Sequence, residues 1–261
     1  MVHGADVRRG PTAETRSMEF QHSSPAPTAG TPTAVLTATA LVKRYGPTTA
    51  LDGASLRVHR GEAVAVMGAS GSGKTTLLHC MAAVIGPDSG SVQLTVDGHA
   101  TEIAGLDEEA RSQLRRTRFG FVFQNGMLLP ELTALENVAL PLMVNGHPRH
   151  AAESAAAPWL AALGLAGMEQ RRIGQLSGGQ AQRVAIARAQ VTAAPVVFAD
   201  EPTGALDSAT SDDVMNALLY ATKGQGRSLV VVTHDPRVAQ RCDRVLHMSD
   251  GRIVREEEPV R

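Results

Sequence analysis

The chain has 261 residues and is 43% hydrophobic, which suits one large α/β domain or two small ones with a sizeable core. Its 25 basic and 26 acidic side chains give a net charge of −1, so no overall basic field suggests nucleic acid or an anionic membrane surface as a partner. The only cysteines, Cys80 and Cys242, are in no metal-ligand spacing, which favours reduced, buried thiols in a cytosolic protein.

The first segment, residues 1–33, is rich in Pro, Thr, Ala, Ser and Gly and has almost no large apolar side chains. This composition predicts a disordered tail or an over-long start. The segment lacks the pattern of a secretory signal, and no window of the chain reaches the roughly 18 apolar residues that a spanning helix needs. Any membrane role is therefore expected to come through a separate partner chain.

Two extended segments follow, at residues 35–42 and 54–58, and a polar stretch that holds Tyr45 separates them. An isolated tyrosine is more often a packing residue. An aromatic some twenty residues before a phosphate-binding loop can instead stack on an adenine ring.

A glycine-rich loop comes next, between an apolar strand at 63–67 and apolar residues at helical spacing. Such a loop turns backbone N–H groups inward at a helix N-terminus and binds phosphate there, although a glycine-rich turn without nucleotide is the plain alternative. Lys74 is expected to reach the β- and γ-phosphates of ATP, and the Thr75 hydroxyl to coordinate Mg²⁺. The loop consists of Gly68, Ala69, Ser70, Gly71, Ser72, Gly73, Lys74, Thr75 and Thr76.

Beyond the loop helix, a turn at 86–90 and alternating apolar residues at 92–96 predict a hairpin. Residues 103–117 predict a surface helix of mixed charge, whose glutamates among the arginines favour a solvated face over a nucleic-acid site. A buried strand at 119–123 ends at Gln124, and a helical insertion is predicted from 125 to about 192, with Trp159 in its core.

The remaining chain alternates apolar strands with helices, which predicts a largely parallel sheet. Strand 196–201 ends in Asp200 and Glu201, and strand 228–233 ends at His234. A helix is expected at 212–221 and a further strand at 244–248. Ligands gather at the carboxyl ends of parallel strands, where Gly68, Gln124, Asp200 and His234 all fall.

In order and spacing, these motifs resemble the nucleotide-binding subunit of ABC transporters over residues 35–256. The most specific signal is Leu-Ser-Gly-Gly-Gln at 176–180, because other phosphate-loop enzymes lack it. The resemblance implies an α/β P-loop NTPase fold with a mostly parallel core sheet, an antiparallel β subdomain and a helical insertion. The implied nucleotide-binding domain spans 34–256 and is followed by a charged end at 257–261.

The catalytic roles follow from these motifs. Asp200, at the end of an apolar strand, is expected to hold Mg²⁺, and Glu201 to polarise the attacking water. By resemblance, Gln124 senses Mg²⁺ and this water, and His234 contacts the γ-phosphate. The alternative for the two carboxylates is that they are ordinary surface charges. The alternative for His234 is a histidine at a strand end whose hydrogen bonds are satisfied within the fold.

The resemblance also implies a second copy of the chain as a partner. Ser177 and Gly179 face the γ-phosphate bound on the other subunit, Asp207 lies in the subunit-crossing loop, and Tyr45 stacks on adenine. Two ATP molecules are then sandwiched in a dimer that closes on ATP and separates after hydrolysis.

Three stretches, 119–124, 135–138 and 200–207, look like the branch of lipoprotein-release, macrolide-efflux and cell-division ATPases. This implies a separate FtsX-like permease that docks on about 124–142, at the inner face of the cell membrane. The activity expected is ATP hydrolysis coupled to export or mechanotransmission, or else regulation of a cell-wall hydrolase without transport. The sequence departs from the family pattern at Ala181, directly after Leu-Ser-Gly-Gly-Gln, and at the bulky Phe198. Neither departure removes a catalytic group.

Overall fold

The computed structural model describes residues 33–259, and most of the predicted tail and the last two residues lie outside this range. The strands are β1 (Ala34–Tyr45), β2 (Thr48–His59), β3 (Ala63–Met67), β4 (Ser89–Val96), β5 (His99–Glu102), β6 (Phe119–Phe123), β7 (Val196–Asp200), β8 (Ser228–Thr233), β9 (Arg244–Ser249) and β10 (Arg252–Glu257). The helices are α1 (Lys74–Met81), α2 (Glu108–Arg118), α3 (Ala134–Val144), α4 (Arg149–Ala162), α5 (Gly178–Gln190), α6 (Ser208–Ala221) and α7 (Pro236–Ala239).

The central sheet has the strand order β10-β9-β3-β8-β7-β6. Every pair from β9 to β6 is parallel, and only β10 runs antiparallel to its neighbour. All six residues of β8 are buried, as expected for a parallel strand that is covered on both faces. The predicted mostly parallel core sheet is therefore confirmed.

Successive residues of the buried strands serve two different hydrophobic cores, because side chains alternate across a sheet. Val197 and Ala199 join the core that packs under α3, α4, α5 and α6. Val196 and Phe198 join the core shared with α1 and the second sheet. The bulk of Phe198 is accommodated there by an edge-on contact with Phe119, with 5.3 Å between ring centroids.

The second sheet is antiparallel, with the order β2-β1-β4-β5. Its first hairpin is longer than the sequence indicated, because the polar stretch 43–53 continues both strands instead of separating them. Its polar residues face solvent, while Leu51 in the middle is fully buried. Register shifts between β1 and β2 interrupt the alternation of buried and exposed side chains. A search for alternating apolar residues therefore underestimates the length of both strands.

Two helices begin at other positions than predicted, and in both cases an aspartate cap sets the start. Asp107 accepts a hydrogen bond from Ala110 N at 2.9 Å, so α2 starts at Glu108 and Ile103 lies buried before it. Asp207 caps α6, which therefore starts four residues earlier than expected.

The helical insertion contains α3, α4 and α5, which pack on one another and on the central sheet. Trp159 packs against this core while partly exposed, and the guanidinium of Arg227 lies over its ring at 5.2 Å from the centroid. Trp159 was predicted to lie in the core of the insertion, and it lies at the rim of that core. Asn137 on α3 is fully buried and shapes the preceding loop, since its amide bonds Leu129 and Thr133.

We predict that Asn137→Ala lowers the free energy of unfolding by about 1–3 kcal/mol, because it leaves the backbone N–H of Leu129 without its hydrogen-bond partner and removes the bonds from the amide to the carbonyl oxygens of Leu129 and Thr133. Urea unfolding followed by circular dichroism measures this change. Asn125→Ala, at an exposed position of the same region, should stay within about 0.5 kcal/mol of wild type. Equal stabilities of the two variants would contradict the role given to Asn137.

Candidate nucleotide-binding and catalytic site

A cleft of about 650 Å³ opens at the carboxyl ends of β3 and β8. It brings together residues that the sequence singled out in separate segments of the chain. Its lining comprises Tyr45, Ala50, Gly68, Ala69, Ser70, Gly71, Gly73, Lys74, Thr75, Thr76, Glu201, Val232 and His234.

The glycine loop at the base of this cleft is tightly packed from behind. A Cβ atom on Gly68 would lie 2.3 Å from the carbonyl oxygen of Met248, and one on Gly73 would lie 2.3 Å from that of Ala50. No side chain fits at such distances, so glycine is required at both positions. The loop is therefore held between β2 and β9.

A second contact comes from the turn between β9 and β10. Gly251 donates its N–H to the carbonyl oxygen of Ser72 at 3.0 Å, and its own carbonyl accepts from Asp52 N at 2.9 Å. Ser72 is buried and lies behind the loop, not among the side chains that line the cleft. Its contribution to the loop is thus made through the backbone.

Lys74 fixes a positive charge at the floor of the cleft. Its side chain is buried, and Nζ donates to the carbonyl oxygens of Gly68 at 2.9 Å and Ala69 at 2.8 Å. An ammonium group has three N–H donors, so these two bonds orient it while one donor is left for another acceptor. Together with the N-terminus of α1, this arrangement favours an anion in the cleft.

Asp200 stands at the end of β7 and interacts with the hydroxyl of Thr75. Burial raises the pKa of the Asp200 carboxyl above its usual range; nearby His79 and the hydrogen bond from Thr75 oppose the rise, and Glu201 adds to it. A bound cation would relieve this cost of burial. The adjacent hydroxyl and carboxylate oxygens are the hard donors that Mg²⁺ prefers, so the residues fit this ion.

Glu201 and His234 meet at the mouth of the cleft. Nδ1 of His234 lies 2.9 Å from Oε1 of Glu201, and the imidazole is 70% exposed. Glu201 has a left-handed backbone with φ of 46°, which is held by a hydrogen bond from its N–H to the carbonyl of Val232 at 2.9 Å. This unusual conformation for a non-glycine residue is typical of functional sites.

Gln124 follows β6, and Phe123 pairs with Asp200 in the sheet, so Gln124 lies level with Glu201. Its side chain lies against the backbone of Gly204, where an added Cβ would be 2.9 Å from Nε2. It is exposed and does not line the cleft as it stands.

Tyr45 ends β1 and lines the cleft, and the residue is half exposed at 51%. The ammonium of Lys43 lies 5.8 Å from the ring centroid. An aromatic ring with a free face next to the phosphate loop is suited to stack on a planar base.

Besides Ser72, three predicted nucleotide contacts lie outside this cleft. Ser177 caps α5 in a capping box with Gln180, and Gly179 packs so closely on Thr210 that an added Cβ would be 2.4 Å from its methyl group. Asp207 caps α6 through Ala209 N and Thr210 N, both at 3.1 Å. A hydrogen bond from the Thr210 hydroxyl holds the pKa of Asp207 below its usual range.

Sequence reasoning missed the residues that shape the loop from behind, namely Ala50, Met248 and Gly251. The first two act through backbone carbonyl oxygens, which leave no trace in the residue type. The Asp250-Gly251 pair is recognisable as a turn, but nothing in the sequence indicates which segment it contacts.

Residues 51–204 match the family model described as ABC transporter. This chain belongs to the ABC transporter family. It is 50% identical over 204 residues to the lipoprotein-releasing system ATP-binding protein LolD of Bordetella avium, covering 78% of this chain and 87% of that protein. It is also 50% identical over 199 residues to the macrolide export ATP-binding/permease protein MacB 1/2 of Paracoccus denitrificans, covering 76% of this chain and 29% of that longer protein.

Among solved structures, the dimeric post-hydrolysis state of the ATP-binding cassette MJ0796, bound to ADP and Pi, superimposes with a TM-score of 0.76. The two chains are 37% identical, and the match covers 87% of this chain and 99% of that one. The predicted family, the P-loop fold and the ATPase activity are thus confirmed: the chain is an ATP-binding and ATP-hydrolysing ABC cassette.

Two further observations concern residues 33–259. None of their helices is long and apolar enough to cross a membrane. No group of three or more His, Cys, Asp or Glu side chains in this range is arranged to hold a metal ion. Both cysteines are free and buried, and burial raises the pKa of Cys80 to about 11 and that of Cys242 to about 12, as expected for inert thiols.

We predict that Asp200→Asn raises the melting temperature of the nucleotide-free protein. A carboxyl whose pKa is raised by folding costs stability once pH exceeds its unfolded-state pKa, and the uncharged amide removes this cost. A rise of about 2 °C or more at pH 7, measured by calorimetry, corresponds to roughly 1 kcal/mol for a domain of this size.

The control is Asp213→Asn, at an exposed position of α6, which should leave the melting temperature unchanged. A melting temperature of Asp200→Asn at or below that of wild type would show that burial does not dominate at this carboxylate.

Proposed function

We propose that this chain is the ATP-driven motor subunit of a membrane export or mechanotransmission complex of the lipoprotein-release and macrolide-efflux branch. The observation that carries the proposal is the 50% identity to the LolD protein over 87% of its length. The cleft, with Lys74 at its floor and Glu201 and His234 at its mouth, supports an active motor. We assign the nucleotide-binding domain to 34–256, preceded by a tail at 1–33 and followed by a charged end at 257–261.

ATP is proposed to bind with its base on Tyr45 and its phosphates in the loop 68–76. The Lys74 ammonium, already oriented by two carbonyl oxygens, is placed to donate to the β- and γ-phosphates. Mg²⁺ would be held by Thr75 and Asp200, with Gln124 approaching it, and would neutralise charge on the phosphates. The contact between Thr75 and the partly buried Asp200 supports this assignment.

Hydrolysis is proposed to use Glu201 as general base. Its carboxylate accepts a proton from a water whose oxygen attacks the γ-phosphorus, while the bond to the bridging oxygen of ADP breaks. His234, 2.9 Å from Glu201, orients this carboxylate and is placed to donate to the γ-phosphate. The products are ADP and inorganic phosphate.

Two copies of the chain are proposed to close around two ATP molecules. The support is that Ser177 is exposed and lies outside the cleft of its own chain, where a phosphate held by a second copy can reach it, whereas Gly179 is buried next to it against Thr210. The N-terminus of the thirteen-residue helix α5 adds a favourable dipole for that phosphate. Asp207, at the N-terminus of α6, is assigned to the same interface.

An FtsX-like permease is proposed to dock next to Gln124, which places the motor at the cytoplasmic face of the membrane. Large hydrophobic side chains are exposed in the segment 127–144 that follows Gln124 in the chain, as expected for a site that a partner helix covers. They are Met127 at 64%, Leu129 at 44%, Met143 at 37% and Val144 at 59%.

We predict that Glu201→Gln lowers kcat by about a hundredfold or more, because the amide cannot accept the proton, while ATP binding persists. Phosphate release and ATP binding by calorimetry measure the two effects. Glu109→Gln, exposed on α2, is the control with the same chemical change and should keep wild-type turnover. Near-normal turnover of Glu201→Gln would refute the assignment of the base.

The branch is tested with the same variant, which should hold the ATP-closed dimer. Protein bound to Glu201→Gln in ATP and Mg²⁺ is recovered from solubilised host membranes and identified by mass spectrometry. An FtsX-like permease is the expected result, and a cell-wall hydrolase recovered with it would favour the regulatory function. Recovery of soluble proteins alone would contradict the membrane assignment.

A further inference from the structure

Helix α5 carries two buried or partly buried polar side chains that contact the end of β6 and the segment after it. Gln182 is only 3% exposed, and its Nε2 donates to the carbonyl oxygen of Phe123 at 2.9 Å. The guanidinium of Arg188 donates to the carbonyl oxygens of Met127 at 2.7 Å and Gly126 at 2.6 Å. We call these three hydrogen bonds the α5 clamp.

The clamp uses Arg188 in an unusual way. In the part of the chain that the structure describes, no carboxylate pairs with this side chain, and its partners are backbone carbonyl oxygens. Burial lowers the pKa of the Arg188 guanidinium, so the charge is held at a cost. An apolar residue would fill the same space more cheaply, which indicates that the fork-shaped contact itself is what this position provides.

The contacts of the clamp bracket Gln124. Phe123 precedes it and Gly126 follows it, so both sides of this glutamine are bonded to α5. Gly126 also packs directly on the helix, where an added Cβ would be 3.6 Å from the methyl group of Ala185. The side chain of Gln124 in turn lies against Gly204, next to the Glu201 segment. Helix α5 therefore holds the backbone on both sides of Gln124, in addition to the β6–β7 pairing that places Phe123 level with Asp200.

The same helix begins at Ser177, which the proposed dimer places against the nucleotide of the second copy. We infer that Gln182 and Arg188 are positioning residues that link the two ATP sites, because they transmit the docking of Ser177 to Gln124 in the opposite site. This inference rests on the proposed dimer. It predicts that the clamp affects turnover and cooperativity between sites more than it affects ATP binding by one chain.

The test is Arg188→Met in the full chain, a change that keeps an unbranched apolar stem and removes both hydrogen bonds. We expect kcat to fall about tenfold, which is the size of effect that coupling between two binding sites usually has. The Hill coefficient for ATP should fall toward one. The Kd for ATP should stay within about twofold of wild type. Arg188→Lys retains one donor group and should recover part of kcat, and Gln182→Met should repeat the phenotype.

The matched control is Arg116→Met, because Arg116 lines the same small cavity as Arg188 but donates to Ser112 on its own helix. It should match wild type in all three readouts. Wild-type kcat and Hill coefficient in Arg188→Met would overturn the inference. So would a loss of kcat in Arg188→Met and Gln182→Met that merely follows their loss of thermal stability.

A separate experiment tests whether the proposed dimer forms. In the Glu201→Gln background, with Arg188 intact, ATP should produce a dimer by light scattering. Absence of this dimer would refute the two-copy arrangement and the linkage with it. A normal dimer combined with unchanged turnover of Arg188→Met would refute the linkage alone.

Discussion

The lack of space behind the glycine loop is the constraint on which the rest of the site depends. Carbonyl oxygens of Ala50 and Met248 stand where Cβ atoms of Gly73 and Gly68 would be. The loop is therefore pressed into one shape by β2 and β9, which come from opposite ends of the chain. That shape lets Lys74 bond two loop carbonyl oxygens, which fixes its positive charge at the floor of the cleft.

The parallel sheet supplies the chemistry to this volume. The strands β3, β7 and β8 are buried on both faces and end at one edge, which brings the loop, Asp200 with Glu201, and His234 together. Helix α5 connects the Leu-Ser-Gly-Gly-Gln motif, where it starts, to the segment around Gln124, with which its side chains form hydrogen bonds. The cassette thus combines a tightly packed cleft with a helix that we propose links it to a second copy.

Much of this arrangement was predictable from the sequence, because the parallel strands are continuous apolar runs and the loop at 68–76 has a specific composition. The lengths of β1 and β2 were not, since bulges and solvent-facing polar residues obscured their alternation. The contacts of Gly251, Gln182 and Arg188 were also missed. Their partners are backbone groups distant in sequence, and a residue pattern carries no information about such pairs.

The most direct test of the packing constraint compares the ATP Kd of Gly251→Ala with that of Gly98→Ala. The two glycines share a left-handed backbone, with φ of 75° and 79°, but only Gly251 is packed against β2, and Gly98 has nothing within 4 Å. Backbone strain is thus matched, and the contact with the loop differs. We predict about tenfold weaker ATP binding for Gly251→Ala, equivalent to 1.4 kcal/mol, and unchanged binding for Gly98→Ala. Equal affinities would contradict the account.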